Sequence, residues 1–329
     1  MAMSDSRLPA RALHAGLPAL VLSMLGCNEA AAHDAASLAS RPLWQAWNHD
    51  WWLWLLIALT GWLYLRGVRR LWAAAAPEAG ITAVQAAAFA LGWLTLVIAL
   101  LSPLDALGGA LFSAHMVQHE LLMIVAAPLL ILGHPLGPFI WSLPAAWRKP
   151  AAVLCRELGV QQAVRWLTRP FNAWIVSAAA LWLWHIPAWF DAALKSEALH
   201  ALQHTCFFLS ALLFWWALFE RRAAAARYGM SVFYLFTTGV HSSLLGALLT
   251  FSATPWYASY GELTQAWHLS ALEDQQLGGL IMWIPGGLVY LGAVLALMAA
   301  WLQAGEREDR LSRGKLQDWA RAEQARRRG

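Results

Sequence analysis

Two short runs in the sequence carry the same pattern of histidines. His115 and His119 stand four apart in HMVQH, and His200 and His204 stand four apart in HALQH. On an α-helix, residues four apart share a face, about 6 Å apart along the axis. Each run can therefore aim two imidazoles at one point. His185, in LWHIP, supplies a fifth if its helix comes close. Imidazole suits Cu, Zn, Fe and Ni, while thioether and thiol ligands favour Cu(I). Met123 continues the stripe of His115 and His119 at the same spacing. Met116 and Cys206 are close in sequence, although Met116 projects from a different helix face. Glu120 and Asp274 are the acidic groups that can orient such ligands from behind. The run HELLM is not the zinc-protease pattern HExxH, because Met123 takes the place of the second histidine.

Other histidines carry less weight. A single imidazole at the end of a membrane helix is usually interfacial or joins two helices by a hydrogen bond. His49, His134 and His268 fit that description, and His241 lies inside a later apolar segment. His241 and His268 remain weaker candidates. Two HxxxH pairs at one depth are different, because polar residues within spans are expensive and point to function.

The elements that must position these residues are membrane helices. The chain is 60% hydrophobic and 13% charged, with 22 tryptophans, whereas soluble domains carry about 25% charged residues. A span needs roughly 20 mostly apolar residues. Seven segments qualify, at about 51–68, 81–102, 112–133, 171–190, 198–219, 230–252 and 277–303. Their length and lack of alternation exclude a strand barrel. The fold expected is all-α, a polytopic helix bundle over 51–303. A leader over 1–32 precedes it, with Arg7 and Arg11 before an apolar run and AAA ending at Ala32, as in a signal peptide or an anchor left in place. Residues 33–50 then form an outer segment and 304–329 a basic tail. Cys27, Cys155 and Cys206 lack a CxxC and do not suggest a disulfide framework. No basic–aromatic surface pattern points to nucleic acid; the partner surface is the lipid bilayer.

Lys and Arg set the orientation. Arg66, Arg69 and Arg70 follow the first span, Arg148, Lys149, Arg156, Arg165 and Arg169 the third, and Arg221, Arg222 and Arg227 the fifth. With the basic tail, all lie on one side, and the other side holds Arg41 and Lys195. The basic side is cytoplasmic, so the N-terminus is out and the C-terminus in. Both HxxxH pairs and His185 then fall at the outer ends of their spans. Three places read as interruptions: Pro128 in the third span, Pro187 after His185, and Pro285-Gly286-Gly287 in the seventh. Such breakers free backbone groups that protein or a wet cavity must satisfy. Asp274 opens the seventh span, where it complements the helix dipole.

Taken together, the stretches HMVQHELLMIVAAPLLILGHP, LWHIPAWFDAALKSEALHALQHTCFFLSALLFWW, DQQLGGLIMWIPGG and WLYLRGVRRLW occur in one order over roughly 50–290. The chain resembles the CtaG family of cytochrome c oxidase assembly factors, the membrane-embedded kind associated with caa-type oxidases. The resemblance implies a multi-pass protein of the bacterial plasma membrane, needed to make active haem-copper oxidase and tied to copper delivery. It places His115, His119, His185, His200 and His204, and Asp274, in the matching motifs. It also implies partners: oxidase subunits, and a periplasmic copper chaperone as a further candidate.

The function expected is therefore copper handling without covalent chemistry, so not an enzyme. Cu(I) is favoured over Cu(II), with Met or Cys assisting. Two alternatives use the same residues. Paired histidines from two helices can ligate a haem in a bundle, although both pairs sit at one membrane end. A copper transporter would use the breaks at Pro128 and Pro285, although no chain of polar ligands continues to the basic side.

Overall fold

The computed structural model describes residues 38, 42–74, 78, 80–219 and 228–328. The leader, and the loop with Arg221, Arg222 and Arg227, lie outside the described residues. The described chain is all helical. We label α1 Trp51–Ala74, α2 Ala83–Leu101, α3 Pro103–Ala110, α4 Phe112–Leu132, α5 Leu136–Ser142, α6 Ala145–Glu157, α7 Val160–Leu167, α8 Pro170–Trp184, α9 Pro187–Lys195, α10 Glu197–Phe219 and α11 Tyr228–Thr250. The last membrane helix, α12, is Ala271–Gln303. It continues helically through the basic tail to Arg328.

Six of these helices are long and apolar enough to cross a membrane, and α8 with α9 makes a seventh, bent by 76°. Six of the seven expected spans are single helices, and the expected span at 171–190 falls on the bent pair. Residues 133–169, expected as a loop, instead form α5, α6 and α7. Neither α6 nor α7 has a buried residue.

Two of the three expected interruptions are not breaks. Before Pro128, α4 widens into π-helix over Leu121–Ala126, and the Ala127 N–H donates to the Leu122 carbonyl five residues back. α12 does the same over Met282–Gly286, around Pro285. Proline lacks an N–H and collides with the carbonyl four residues earlier. Widening the turn lets the helix run on, and such π-turns are frequent at functional sites. In the π register the carbonyl that residue 128 would serve is that of Met123. The Trp215 indole N–H donates to it instead, at 2.9 Å. Only the interruption at Pro187 is a real break: His185 ends α8 and Pro187 starts α9.

The helices start where side chains can cap them. Thr82 and Gln85 form a capping box on α2, Ser270 and Glu273 one on α12, and Ser102 with Pro103 opens α3. Close packing follows from small residues. A Cβ on Gly92 of α2 would stand 2.9 Å from the Leu130 nitrogen of α4, and one on Gly67 of α1 only 1.9 Å from the Pro138 carbonyl of α5. Arg70 closes the same end of the molecule, donating to the carbonyls of Ser142 at 2.9 Å and Leu143 at 3.1 Å. These carbonyls end α5 and have no helical partner. The helix that carries the first histidine pair, α4, is thereby held among α2, α3, α10 and α12.

Candidate metal centre

The first histidine helix begins at Leu111, whose side chain cannot cap it. Asp274 of α12 takes that role from outside. Its carboxylate accepts from the Phe112 N–H at 2.6 Å, the Ser113 N–H at 3.1 Å and the Ser113 hydroxyl at 2.5 Å. Asp274 lies in the first turn of its own helix, as expected for a residue complementing the dipole, and these bonds also fix where α4 starts, and with it the height of His115 and His119. A second anchor comes from Gln118, whose amide donates to the Ala99 carbonyl at 2.7 Å and to Asp105 at 2.8 Å. Asp105 also accepts from the Asn48 amide at 2.9 Å. Gly108 lets α3 approach, since a Cβ there would lie 3.1 Å from the Gln118 oxygen.

The five histidines expected to converge do converge. Across the two helices, the ring of His115 lies 5.2 Å from His200 and 5.4 Å from His204, and His119 lies 5.1 Å from His204. Within the helices the neighbours are 4.3 Å apart for His115–His119 and 4.2 Å for His200–His204. His185 stands further along, 6.3 Å from His119. One nitrogen from each of His115, His200 and His204 falls within 4.8 Å of the others. His200 is partly exposed, and the other four are buried.

Aromatic side chains enclose the cluster. Phe190, from α9, lies 5.1 Å from the His115 ring, and Phe207 lies 4.5 Å from the His119 ring. Phe190 packs in turn on Tyr257, whose hydroxyl donates to the His185 carbonyl at 3.1 Å. Tyr260 donates to the Gly108 carbonyl at 2.8 Å. The break at His185 is what turns α9 and Phe190 over the histidines.

Inside this enclosure, both ring nitrogens of His119, and one each of His185 and His204, have no hydrogen-bond partner among the described residues. Burying such a group unpaired costs about 1–3 kcal/mol. Buried imidazoles tolerate that in a fold when a ligand takes their lone pairs. The His185 tautomer is set by its neighbour: Nδ1 is 2.7 Å from the Leu181 carbonyl. A carbonyl only accepts, so Nδ1 holds the hydrogen and Nε2 keeps its lone pair.

The remaining expected residues have these contacts. Met116 packs by Gly278 of α12, and Met123 belongs to the same buried core, with Cys206 at its edge. Glu120 faces away, toward Gly286 in the second π segment. His241 packs edge-on against Trp174, 5.6 Å away. His268 is exposed, in a left-handed backbone conformation after Trp267. Several contributors escaped the sequence argument. Gln118 and Gln203 are fully buried, and the Gln203 amide lies beside His115. Their signal was available, because both runs read HxxQH. Asp105, Trp215 and the aromatic cover had no local signal.

The chain is 29% identical over 237 residues to the Mycobacterium bovis protein Mb0105, covering 67% of this chain and 35% of that protein. The Mycobacterium tuberculosis protein MT0111 gives the same figures. The Mycobacterium leprae protein ML1998 is 26% identical over 235 residues, covering 65% of this chain and 34% of its own length. The chain thus spans about a third of the length of these relatives. No solved structure matches. The family model described as cytochrome c oxidase caa3 assembly factor (Caa3_CtaG) matches residues 62–304, which hold all five clustered histidines and both π segments. The chain therefore belongs to the Caa3_CtaG family of cytochrome c oxidase assembly factors, and it is a multi-pass membrane protein.

Proposed function

We propose that this assembly factor takes up copper as cargo, holds it on His115, His200 and His204, and releases it to a haem-copper oxidase subunit at the outer face of the bacterial plasma membrane. The observation that carries this reading is the imidazole trio, two members buried and one partly exposed, with ligand atoms within 4.8 Å of one another. Neutral nitrogen donors in an apolar wall suit a singly charged soft ion better than a divalent one, because burying charge without a counter-charge is costly. Cu(I) fits that description. The partly exposed His200 is the mouth of the site, where a periplasmic chaperone or the oxidase subunit can exchange ligands with it. The chain acts by binding and exchange, with no catalytic step. The outer location rests on the Lys and Arg asymmetry. A haem between the two HxxxH helices is disfavoured by the packing, since rings 5.1–5.4 Å apart leave no slot for a porphyrin between them.

The test is a titration of Cu(I) into the metal-free, detergent-purified chain against a chromogenic chelator. Stoichiometric binding is expected, and it should be lost when His115 and His204 are both replaced by Ala. No binding by the native chain would overturn the proposal.

A further inference from the structure

We infer that the cluster contains a second, deeper copper position, held in linear two-coordinate fashion between His119 and His185, so that the ion steps inward from the three-histidine mouth before it is handed on. This rests on the copper reading above and adds a place and a geometry to it.

The five rings form a ladder rather than one cage. His115 and His200 make its first rung at 5.2 Å, and His119 and His204, each a helical turn further on, make the second at 5.1 Å. His185 lies beyond them, 6.3 Å from His119 and outside the trio. Metal–imidazole bonds run about 2.0–2.1 Å, so an ion in line between two imidazole nitrogens sets the ring centres about 6 Å apart. The His119–His185 separation matches that figure. The pairs at 4.2 and 4.3 Å are too close for it. The 74° between the two ring planes is no obstacle, because rotation about the metal–nitrogen axis leaves a linear site unchanged.

The donors are suited to the task. His185 Nε2 carries its lone pair, because Nδ1 donates to Leu181. Neither Nε2 of His185 nor either nitrogen of His119 has another partner among the described residues. Each ring is 3% exposed, and Phe207 borders both, at 4.5 and 5.8 Å. Water is thereby kept away from the ion. Two neutral donors and an apolar wall are a soft, low-coordinate environment, which selects Cu(I) over the divalent metals that demand four or more ligands.

His204 connects the two positions. It belongs to the trio and lies 5.1 Å from His119. As the bond from the ion to His119 forms, the bonds to His115 and His200 break, and His204 is released last as His185 binds. The ion keeps its single positive charge, all imidazoles stay neutral, and no electron or proton moves.

The experiment uses the full-length protein, metal-free in detergent, titrated with Cu(I) against a competing chelator and examined by copper X-ray absorption. The native chain is expected to bind two equivalents, and the doubly loaded form to show the near-edge signature of two-coordinate Cu(I) in part of its copper. His185→Ala and, separately, His119→Ala should each bind one equivalent and lose that signature, each first shown to be monodisperse. One equivalent in the native chain, or two in both variants, would overturn the deeper position while leaving the copper reading intact. A native chain that binds none overturns the copper reading itself. Should neither variant fold, the absorption edge of the doubly loaded native chain decides alone: no two-coordinate component there overturns the inference.

Discussion

Trp215 of α10 donates its indole N–H to the carbonyl of Met123 in α4, at 2.9 Å, where Pro128 can offer none. This bond ties the two histidine helices together, about one turn beyond His119 on α4 and about three turns beyond His204 on α10. Trp215→Phe keeps the aromatic volume and leaves the carbonyl unpaired in an apolar core, at a cost of about 1–3 kcal/mol. A lower unfolding temperature in detergent and weaker copper binding are expected. In a Pro128→Ala background, where residue 128 regains its N–H, the loss should shrink. A double-mutant cycle reads that coupling, and strict additivity would show that the indole serves some other purpose.

Asp274→Ala removes the acceptor that starts α4. Loss of a helix cap costs about 0.5–2 kcal/mol, and the helix it starts carries His115 and His119. Copper affinity should therefore fall although every histidine remains. Asp274→Asn, which keeps one acceptor oxygen, should fall between the two. Equal affinity for all three proteins would separate the cap from the site.

Removing one trio ligand should weaken copper binding at least as much as losing a supporting residue around a metal, which is about 10–100-fold. His204→Ala and His115→Ala are the variants to compare, by chelator competition. In cells relying on such a variant, oxidase copper content should drop while the abundance of the variant in the membrane stays the same.

Glycine substitutions separate stability from binding. A Cβ on Gly67 would stand 1.9 Å from the Pro138 carbonyl, and one on Gly278 would stand 2.3 Å from the Phe112 ring. Gly67→Ala and Gly278→Ala should each destabilise by about 1–3 kcal/mol, as overpacking does. Gly67 joins α1 to α5, at the end of the bundle away from the histidines, so Gly67→Ala should leave copper stoichiometry unchanged. Phe112 opens the histidine helix, so Gly278→Ala should alter binding as well as melting temperature.

Seven spans, their approximate limits and the pairing of histidines on two helix faces were legible in the sequence, because hydropathy and the 3.6-residue period are local properties. Equal depth and repeated spacing made the convergence of His115, His119, His200 and His204 an expectation, conditional on their helices being neighbours, with His185 as a fifth if its helix came close. The prolines misled. Pro128 and Pro285 have one local effect, the loss of an N–H. Whether that breaks a helix depends on what else reaches the freed carbonyl, and for Met123 the answer lies in Trp215, 92 residues away.

By itself, the sequence determined a membrane-spanning helix bundle with paired imidazoles at one end, since composition, span length and HxxxH spacing follow from covalent order alone. Tertiary structure decided that the histidines form a ladder with a partly exposed first step. It decided that Asp274 caps a neighbouring helix, and that Glu120 turns toward Gly286. It also bent the chain at His185, so that Phe190 covers the site. These outcomes depend on helix rotation and on contacts between residues far apart in sequence. Periodicity fixes which residues share a face, and only packing fixes what that face meets.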